Sequence, residues 1–543
     1  MLGLLYCICF IVYNINSFEK AGEYMSKFLQ GTIILIIAGF ITKILGFVNR
    51  IVIARLIGEE GVGLYMMAVP TFILAITITQ LGLPVAISKL VAEAEIKGDR
   101  ARIKKVLVVS LSITLSISLI FTTAMLFFAP AIAKTLLTDE RTYYPLMAII
   151  PVIPIIAVSA VIRGYFQGRQ QMRPAAYSQI IEQVVRITLV AFCITLFAPY
   201  GVEYAAAGAM LSSVFGELAS LLYMVYTFKK KKRVKVRKRF FHTLKGGKEP
   251  LYDLLKIALP TTGGRMIGSL SWFLEPIVVT HSLAIAGVAT ALATKQYGML
   301  AGFALPVLML PSFITNSLST SLVPAISEAA AENKNRLIQY RLHQALRLSF
   351  LTGGLSVVVL YVFAQPIMLL MYGTVNGAFF IQIMAPLFIF YYLQGPLQAT
   401  LQALNLAQAA MINSLIGAIA KLSLIFALAT QPHFGIKGAA LGIMAGMTIV
   451  TFLHLATVIK AISFVVYIRD YIKSFIVMVI TGVAGHYIYE TIPSSVSLSL
   501  RTIFSIAVLS FIYIILLKGF KLVTQEELRR FSPLRFIKKH TKR

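Results

Sequence analysis

Two basic side chains lie inside a long apolar stretch near the start of the chain. Residues 28–55 read FLQGTIILIIAGFITKILGFVNRIVIAR, with Lys43 deep inside and Arg50 seven residues later. Seven residues make nearly two helical turns, so both cations share one helical face. A cation at the centre of a membrane helix costs about 2.5–3.5 kcal/mol on insertion scales. Such residues are kept where neighbouring helices offer a wet interior, and there they could bind an anion.

Further ionisable side chains fall within later apolar stretches, and basic groups outnumber acidic ones. Glu182 and Arg186 lie four residues apart, which places them on one helical face where they can pair. Glu217, Arg265 and Lys421 each lie midway along an apolar stretch. Guanidinium groups match phosphate oxygens in bidentate geometry, so a cavity lined by these cations favours a phosphate-bearing substrate.

These residues define the predicted site. The predicted substrate-binding residues are Lys43, Arg50, Arg186, Arg265 and Lys421. Glu182 and Glu217 are weaker candidates for a coupling-ion site, and the adjacent Gly263 and Gly264 predict a hinge. The three cysteines form no disulfide framework or metal-ligand spacing, and we predict no catalytic residue, metal or cofactor.

A structural role is the alternative for several of these side chains. Glu182 and Arg186 would then form an ion pair that locks helices together, and Lys421 would be an interhelical hydrogen-bond donor. Arg50 could snorkel to the membrane interface. Lys43 and Arg265 lie more than three helical turns from either end of their stretches, so a cavity role suits them best.

The elements that must position these residues are membrane helices. The 543 residues are 58% hydrophobic and only 13% charged, whereas a soluble globular protein is nearer one quarter charged. Fourteen stretches are long enough to cross a bilayer, since about 20 apolar residues suffice. The sequence therefore predicts an all-α polytopic membrane protein with two pseudo-symmetric six-helix lobes and two C-terminal helices. The predicted segments are an N-terminal extension ahead of an alternative start at Met25 (1–27), an N-lobe (28–228), a basic cytoplasmic hinge loop (229–250), a C-lobe (251–460), two further helices (461–518) and a basic cytoplasmic tail (519–543).

The two lobes are inferred from an internal repeat. The block GYFQGRQQMRPAAYSQ, from Gly164, echoes ATLQALNLAQAAMINS, from Ala399, and an offset of 235 residues also relates Arg186 to Lys421. Six helices per lobe make the repeat parallel, with its axis along the membrane normal. Transporters built this way bind substrate between the lobes and alternate access by rocking them.

Basic residues cluster in alternate loops between the apolar stretches, including the run KKKKR at Lys229–Arg233. By the positive-inside rule, we predict a multi-pass membrane protein with both termini in the cytoplasm. The net charge of +29 fits these loops and attraction to anionic membrane lipids, and we predict no nucleic-acid partner.

The first stretch also carries a family resemblance. The segment ITKILGFVNRIVIARLIG, from Ile41, followed by GVGLYMMAVP, resembles the first-helix signature of MurJ-like lipid II flippases. These belong to the multidrug/oligosaccharidyl-lipid/polysaccharide exporter superfamily. The segments LGLPVAISKLVAEA, RGYFQG, SLSWFLEPIVV and ATKQYG are similar to those of the branch found in spore-forming bacteria. The resemblance runs from about Met25 to the C-terminus.

The resemblance implies an alternating-access flippase for an undecaprenyl-diphosphate-linked sugar, with lipid II for spore cortex peptidoglycan as the expected substrate. In the family pattern, basic residues of the first helix line the central cavity and touch the diphosphate, a role that falls on Lys43 and Arg50. The pattern's second arginine aligns with Asn49, one place before Arg50. The resemblance also implies a bacterial plasma membrane as the location, and the expected partners are the lipid-linked sugar diphosphate and cell-wall synthesis enzymes.

Other functions stay open on the sequence alone. Export of another lipid-linked polysaccharide suits the same cations, whereas a non-transporting partner of cell-wall enzymes would leave them without a role. A drug or cation antiporter of the same fold would carry an excess of intramembrane acids. A membrane-embedded glycosyltransferase would need carboxylates at its outer surface, where Asp139, Glu140 and Glu490 are scattered over short loops. We therefore expect a transporter and not an enzyme.

Overall fold

The computed structural model describes residues 27–231, 240–245, 248–493 and 495–523. The structure is 89% helical, and these residues contain no strand, so the predicted all-α polytopic membrane class is confirmed. The N-terminal extension except for Lys27, part of the basic hinge loop and most of the basic tail lie outside the described residues.

Eleven helices of the described part are long and apolar enough to cross a membrane. The number rises to twelve if the bent pair Thr290–Met309 and Ser312–Ala331 forms one span. One of the eleven, Ile37–Ile96, covers the first two predicted spans. The multi-pass character is therefore confirmed, and the number of fourteen stays a prediction.

By contacts between Cα atoms, the chain divides into two compact units. The first contains the described residues up to Ile277 together with Thr290–Gly298. The second contains Val278–Ala289 and the described residues from Met299 onward. The six-helix lobe boundaries stay a prediction, and each unit is described by itself below.

The helices of the first unit run up and down with short connections. They are α1 (Lys27–Gln80), α2 (Leu83–Ile96), α3 (Arg100–Ala131), α4 (Tyr143–Ile149), α5 (Val152–Gly168), α6 (Met172–Phe197), α7 (Val202–Lys231), α8 (Phe240–Lys245), α9 (Lys248–Ile285, whose last residues belong to the second unit) and α10 (Thr290–Tyr297). The pairs α6–α7 and α1–α6 pack along much of their lengths, which brings the first predicted span against the predicted ion pair.

The second unit also consists of helices, most of them long. Its helices are α11 (Leu305–Met309), α12 (Ser312–Ala331), α13 (Asn335–Val362), α14 (Ala364–Tyr372), α15 (Ala378–Ala403), α16 (Ala407–Ala429), α17 (Ile436–Ile462), α18 (Ile468–Thr491) and α19 (Leu498–Gly519). The closest pair, α16–α17, corresponds through the sequence repeat to α6–α7 of the first unit.

Helix α1 is broken at Gly58, which has φ 67° and ψ −170°. A positive φ is accessible to glycine at little cost and is strained for other residues. The break separates the first predicted span from the second and is followed at once by Glu59 and Glu60. The sequence GEE therefore makes a corner whose two acidic side chains are available for ion pairs.

A polar network holds this corner. The buried Asp139 accepts hydrogen bonds from Arg141 Nη2 at 2.9 Å and from Thr294 Oγ1 at 2.7 Å. Arg141 Nη1 also donates to Glu60 Oε1 at 2.6 Å. Burial works to raise the pKa of Asp139, but the hydrogen bonds from Arg141 and Thr294 outweigh it and leave that pKa below its ordinary value. The charged carboxylate therefore ties the corner of α1, the turn before α4 and α10 together.

Replacing Asp139 with Asn should destabilise the protein at neutral pH and matter less in acid. A carboxylate with a lowered pKa contributes stability above the unfolded pKa of about 3.9, and that stability is lost as pH falls through the folded pKa. Since Arg141 stays partly exposed and can be solvated, we expect a cost of about 2 kcal/mol at pH 7. Thermal unfolding in detergent at pH 7 and pH 3 measures both effects.

The control is Lys134→Gln, because Lys134 and its ion-pair partner Glu140 are largely exposed. Its melting temperature should match the wild type at both pH values. An Asp139→Asn loss of the same size at both pH values would contradict the charged role of Asp139.

Candidate functional site

A buried ion pair forms the centre of the candidate site in the first unit. Arg186 Nη2 donates to Glu182 Oε1 at 2.6 Å within α6, as the four-residue spacing predicted. Gln183 Nε2 donates to the same carboxylate oxygen at 3.3 Å. Glu182 is 8% exposed, so this charge needs its partners in place.

A second carboxylate and a second guanidinium complete a cluster, which we call the N-unit polar cluster: Arg163, Glu182, Gln183, Arg186 and Glu217. Glu217 on α7 is buried and lies within electrostatic range of Glu182, Arg163 and Arg186. The cluster thus joins side chains from α5, α6 and α7, with two cations facing two acids.

Arg163 is the residue that the sequence reasoning missed as a site residue. The fourth apolar stretch of the sequence, 142–163, ends at Arg163, so the sequence predicted this residue to be one of the basic residues of a cytoplasmic connection. In the structure α5 continues to Gly168, so Arg163 lies inside the helix and is half-buried. The signal available in the sequence was the pair Tyr165 and Phe166, two large aromatic residues just beyond Arg163.

Several polar atoms of the N-unit polar cluster are buried without a hydrogen-bond partner among the described residues. They are Arg163 Nε, Arg186 Nε, Gln183 Oε1 and Glu217 Oε2. Buried polar groups are normally hydrogen-bonded to protein, water or a ligand. Two guanidinium donors of the cluster are therefore available for an anion, and two oxygen acceptors are available for a water or a cation.

A glycine allows α7 to come close to this ion pair. A Cβ atom at Gly216 would lie 2.8 Å from the Glu182 carbonyl oxygen and 3.2 Å from Arg186 Cβ. A larger residue at this place would push α7 away from α6. The position of Glu217, the next residue, is set by this close approach.

The face of α1 that carries Lys43 and Arg50 borders the cluster. Gly46 lies three residues after Lys43 and four before Arg50, so the three share one face. A Cβ atom at Gly46 would lie 3.8 Å from Gln183 Oε1. Lys43 and Arg50 are both exposed, whereas Asn49 is buried with Oδ1 lacking a partner in the described part. Asn49, with which the second arginine of the family pattern aligns, is thus buried, and Arg50 is exposed on the face that borders the cluster.

Arg265 lies elsewhere in the first unit. It is exposed on α9 and makes no ion pair with any described residue. One turn later, Ser269 Oγ lies 2.8 Å from Thr77 Oγ1, so this face of α9 meets the second half of α1. Helix α9 runs without a break through Gly263 and Gly264, both of which face open space. A hinge at these glycines stays a prediction.

Lys421 belongs to the second unit and is half-buried on α16. A Cβ atom at Gly446 of α17 would clash with the Lys421 side chain, so the two helices meet at this cation. Asn413, also on α16, donates from Nδ2 to Thr457 Oγ1 of α17 at 2.9 Å. The same Nδ2 atom lies 3.2 Å from Nδ1 of the buried His454. The structure thus places Arg186, Glu182 and Glu217 together in the first unit, whereas Lys421 belongs to the second unit.

The charge of the site in the first unit is positive. Four cations, Lys43, Arg50, Arg163 and Arg186, lie in or beside the cluster against two acids, Glu182 and Glu217. Among the described residues, no group of three His, Cys, Asp or Glu side chains could hold a metal ion. Planar guanidinium groups with spare donors suit a phosphate or diphosphate ligand.

Comparisons with known proteins agree with a membrane transporter fold. The polysaccharide biosynthesis protein family matches residues 28–330. Stage V sporulation protein B of Bacillus subtilis is 61% identical over 93% of this chain and 97% of its own. Lipid II flippase MurJ of the same organism is 24% identical over 78% of this chain and 81% of its own.

A solved structure shares the fold. The inward closed conformation of lipid II flippase MurJ superposes with a TM-score of 0.65 at 17% identity and covers 90% of this chain and 99% of that one. The chain therefore belongs to the polysaccharide biosynthesis protein family, in the group that includes stage V sporulation protein B.

Proposed function

We propose that this chain is an alternating-access flippase that moves an undecaprenyl-diphosphate-linked cell-wall precursor from the inner to the outer leaflet. Its substrate is lipid II for spore cortex peptidoglycan. The observation that carries the proposal is the excess of cations in and beside the N-unit polar cluster. The similarity to a protein named lipid II flippase supports the choice of substrate.

The physical task of such a protein is to move a charged headgroup through an apolar core. An unpaired ion in that core costs tens of kcal/mol in the continuum limit. Lys43 and Arg50 on α1 meet the diphosphate first, and the spare donors of Arg163 and Arg186 bind it more deeply. The polyprenyl tail stays in lipid, so only the headgroup needs this neutralisation.

The two carboxylates have a separate role in the proposal. Glu182 holds Arg186 in place before substrate arrives, through the 2.6 Å bond. Glu217 has a buried oxygen without a partner in the described part, which makes it the better candidate for taking up a coupling cation or proton. Rocking of the two predicted lobes, with Gly263 and Gly264 as the hinge, then exposes the headgroup outside. No bond is made or broken, and anionic lipids and cell-wall enzymes are its proposed partners.

Export of another lipid-linked polysaccharide is the second candidate, favoured by the family description that matches residues 28–330. It needs the same diphosphate site and differs only in the sugar. A cation antiporter fits less well, because the cations of the first unit outnumber its two clustered acids.

Loss of a cavity cation should reduce lipid II delivery to the outer leaflet. We expect Lys43→Ala and Arg163→Ala to lower delivery about tenfold, since one charge-assisted contact is worth about 1.5–3 kcal/mol. The measurement is labelling of external lipid II in cells depleted of their other flippases, at matched protein levels. Lys231→Ala is the control, because Lys231 is exposed at the end of α7.

The outcomes of this labelling separate the proposals. If the wild type restores no external lipid II, lipid II is not the substrate. If the wild type and both cavity variants are equally active, the flippase stands and the assignment of its binding residues is wrong.

A charge-neutralising pair of substitutions distinguishes substrate binding by Arg186 from a purely structural ion pair. Glu182→Gln and Arg186→Gln should each lower the melting temperature, because each leaves one buried charge without its partner. The double variant should regain most of that stability. Its transport should nevertheless stay about tenfold below wild type, since the diphosphate contact is still missing.

Thermal unfolding and lipid II labelling on the same four proteins make this comparison. A double variant that regains both stability and transport would show that the pair is only structural.

A further inference from the structure

A cavity of about 400 Å³ is lined by residues of the second unit. It is bounded by the first turns of α13 and by residues 463–467, which connect α17 to α18. Its polar lining includes Arg336, Gln339, His343 and Asp470. The proposed transport of lipid-linked sugars gives these residues no role.

The walls of this cavity are held by tertiary contacts. Gln339 Nε2 on α13 donates to the carbonyl oxygen of Ile462 at 2.8 Å, which fixes the end of α17 against α13. The ring of His343 packs edge-on against Tyr467, with centroids 4.9 Å apart. Phe464 is buried in the apolar core of the unit and forms the base. The cavity is therefore preformed in this conformation.

Two side chains of the cavity, Arg336 and Asp470, are opposite in charge and form no ion pair with each other. Arg336 is exposed and makes no ion pair with any described residue. Asp470 lies in the first turn of α18 and interacts electrostatically with His343. His343 Nδ1 is buried without a hydrogen-bond partner in the described part of the chain. The cavity thus offers a cationic and an acidic group to one ligand.

The cavity lies where apolar helices begin. The candidate membrane spans Asn335–Val362 and Ile468–Thr491 both start at its rim. Tyr340 and Tyr467 are exposed beside it, as are Val465 and Ile468. Tyrosine is enriched at the membrane–water boundary, where its ring meets lipid and its hydroxyl meets water. The positive-inside pattern assigns this boundary to the cytoplasmic side.

We propose that this cavity binds the headgroup of a zwitterionic aminophospholipid of the inner leaflet. The phosphate lies on Arg336 and His343, which supply a guanidinium and an imidazole nitrogen. The ammonium lies on the carboxylate of Asp470, with the faces of Tyr340 and Tyr467 as cation–π partners. The acyl chains extend along the exposed apolar side of α18. An anionic lipid with no ammonium would leave Asp470 unpaired beside its phosphate.

The test uses the full chain purified from membranes into nanodiscs, with phosphatidylethanolamine and phosphatidylglycerol offered in equal amounts. Native mass spectrometry counts the lipids that stay bound. We expect the wild type to retain the ethanolamine lipid about tenfold more often, the ratio that one ionic contact to Asp470 would give. Glycerophosphoethanolamine and inorganic phosphate, added separately, test a soluble headgroup and a free phosphate as ligands.

Substitutions at Asp470 and Arg336 test which residue binds the ammonium and which binds the phosphate of the headgroup. Asp470→Asn should remove the preference for the ethanolamine lipid while total lipid binding continues. Arg336→Gln should lower the retention of both lipids. Lys334→Gln, a nearby exposed side chain paired with Glu332, is the control and should behave as wild type.

Three outcomes would overturn the proposal. The first is equal retention of the two lipids by the wild type. The second is an Asp470→Asn variant with the wild-type preference and an unchanged melting temperature. The third is inorganic phosphate that competes as well as the lipid, which would make the site an anion site.

Discussion

A buried carboxylate without a cation would be costly in the apolar interior of the first unit, and this constraint organises its centre. Glu182 is held by Arg186 in the same helix, and Glu217 faces both of them together with Arg163. Three helices must come close for these contacts to form. Gly216 makes that approach possible, because a Cβ there would lie 2.8 Å from the Glu182 carbonyl oxygen.

A glycine also meets a basic side chain of the preceding helix in the second unit. Lys421, which the sequence repeat relates to Arg186, also meets a glycine of the following helix, Gly446. In both units a long basic side chain on one helix passes a backbone that has no side chain at that place. This packing lets each helix pair come close while a polar side chain stays between the helices. The repeat in the sequence is thus also a repeat of helix packing.

The features of the fold and of the site that could be predicted from the sequence depend on residues that lie near one another in the chain. Apolar length predicted the all-helical membrane class, and the four-residue spacing predicted the Glu182–Arg186 pair. Arg163 was missed because the end of its helix could not be placed within a turn, and its partners lie on other helices. Spacing alone also could not separate Asn49, which is buried, from the exposed Arg50, since adjacent residues differ by only 100° around a helix. Tertiary packing decides such cases.

The central claim is that the cationic cluster of the first unit recognises a diphosphate. The most direct measurement compares the affinity of the purified chain in nanodiscs for undecaprenyl diphosphate and undecaprenyl monophosphate, in wild type and in Arg163→Gln. We predict that the wild type binds the diphosphate at least about tenfold more tightly, the value of one further charge-assisted contact, and that Arg163→Gln loses this preference. Equal affinity for the two lipids, or a preference unchanged in Arg163→Gln, would contradict the account.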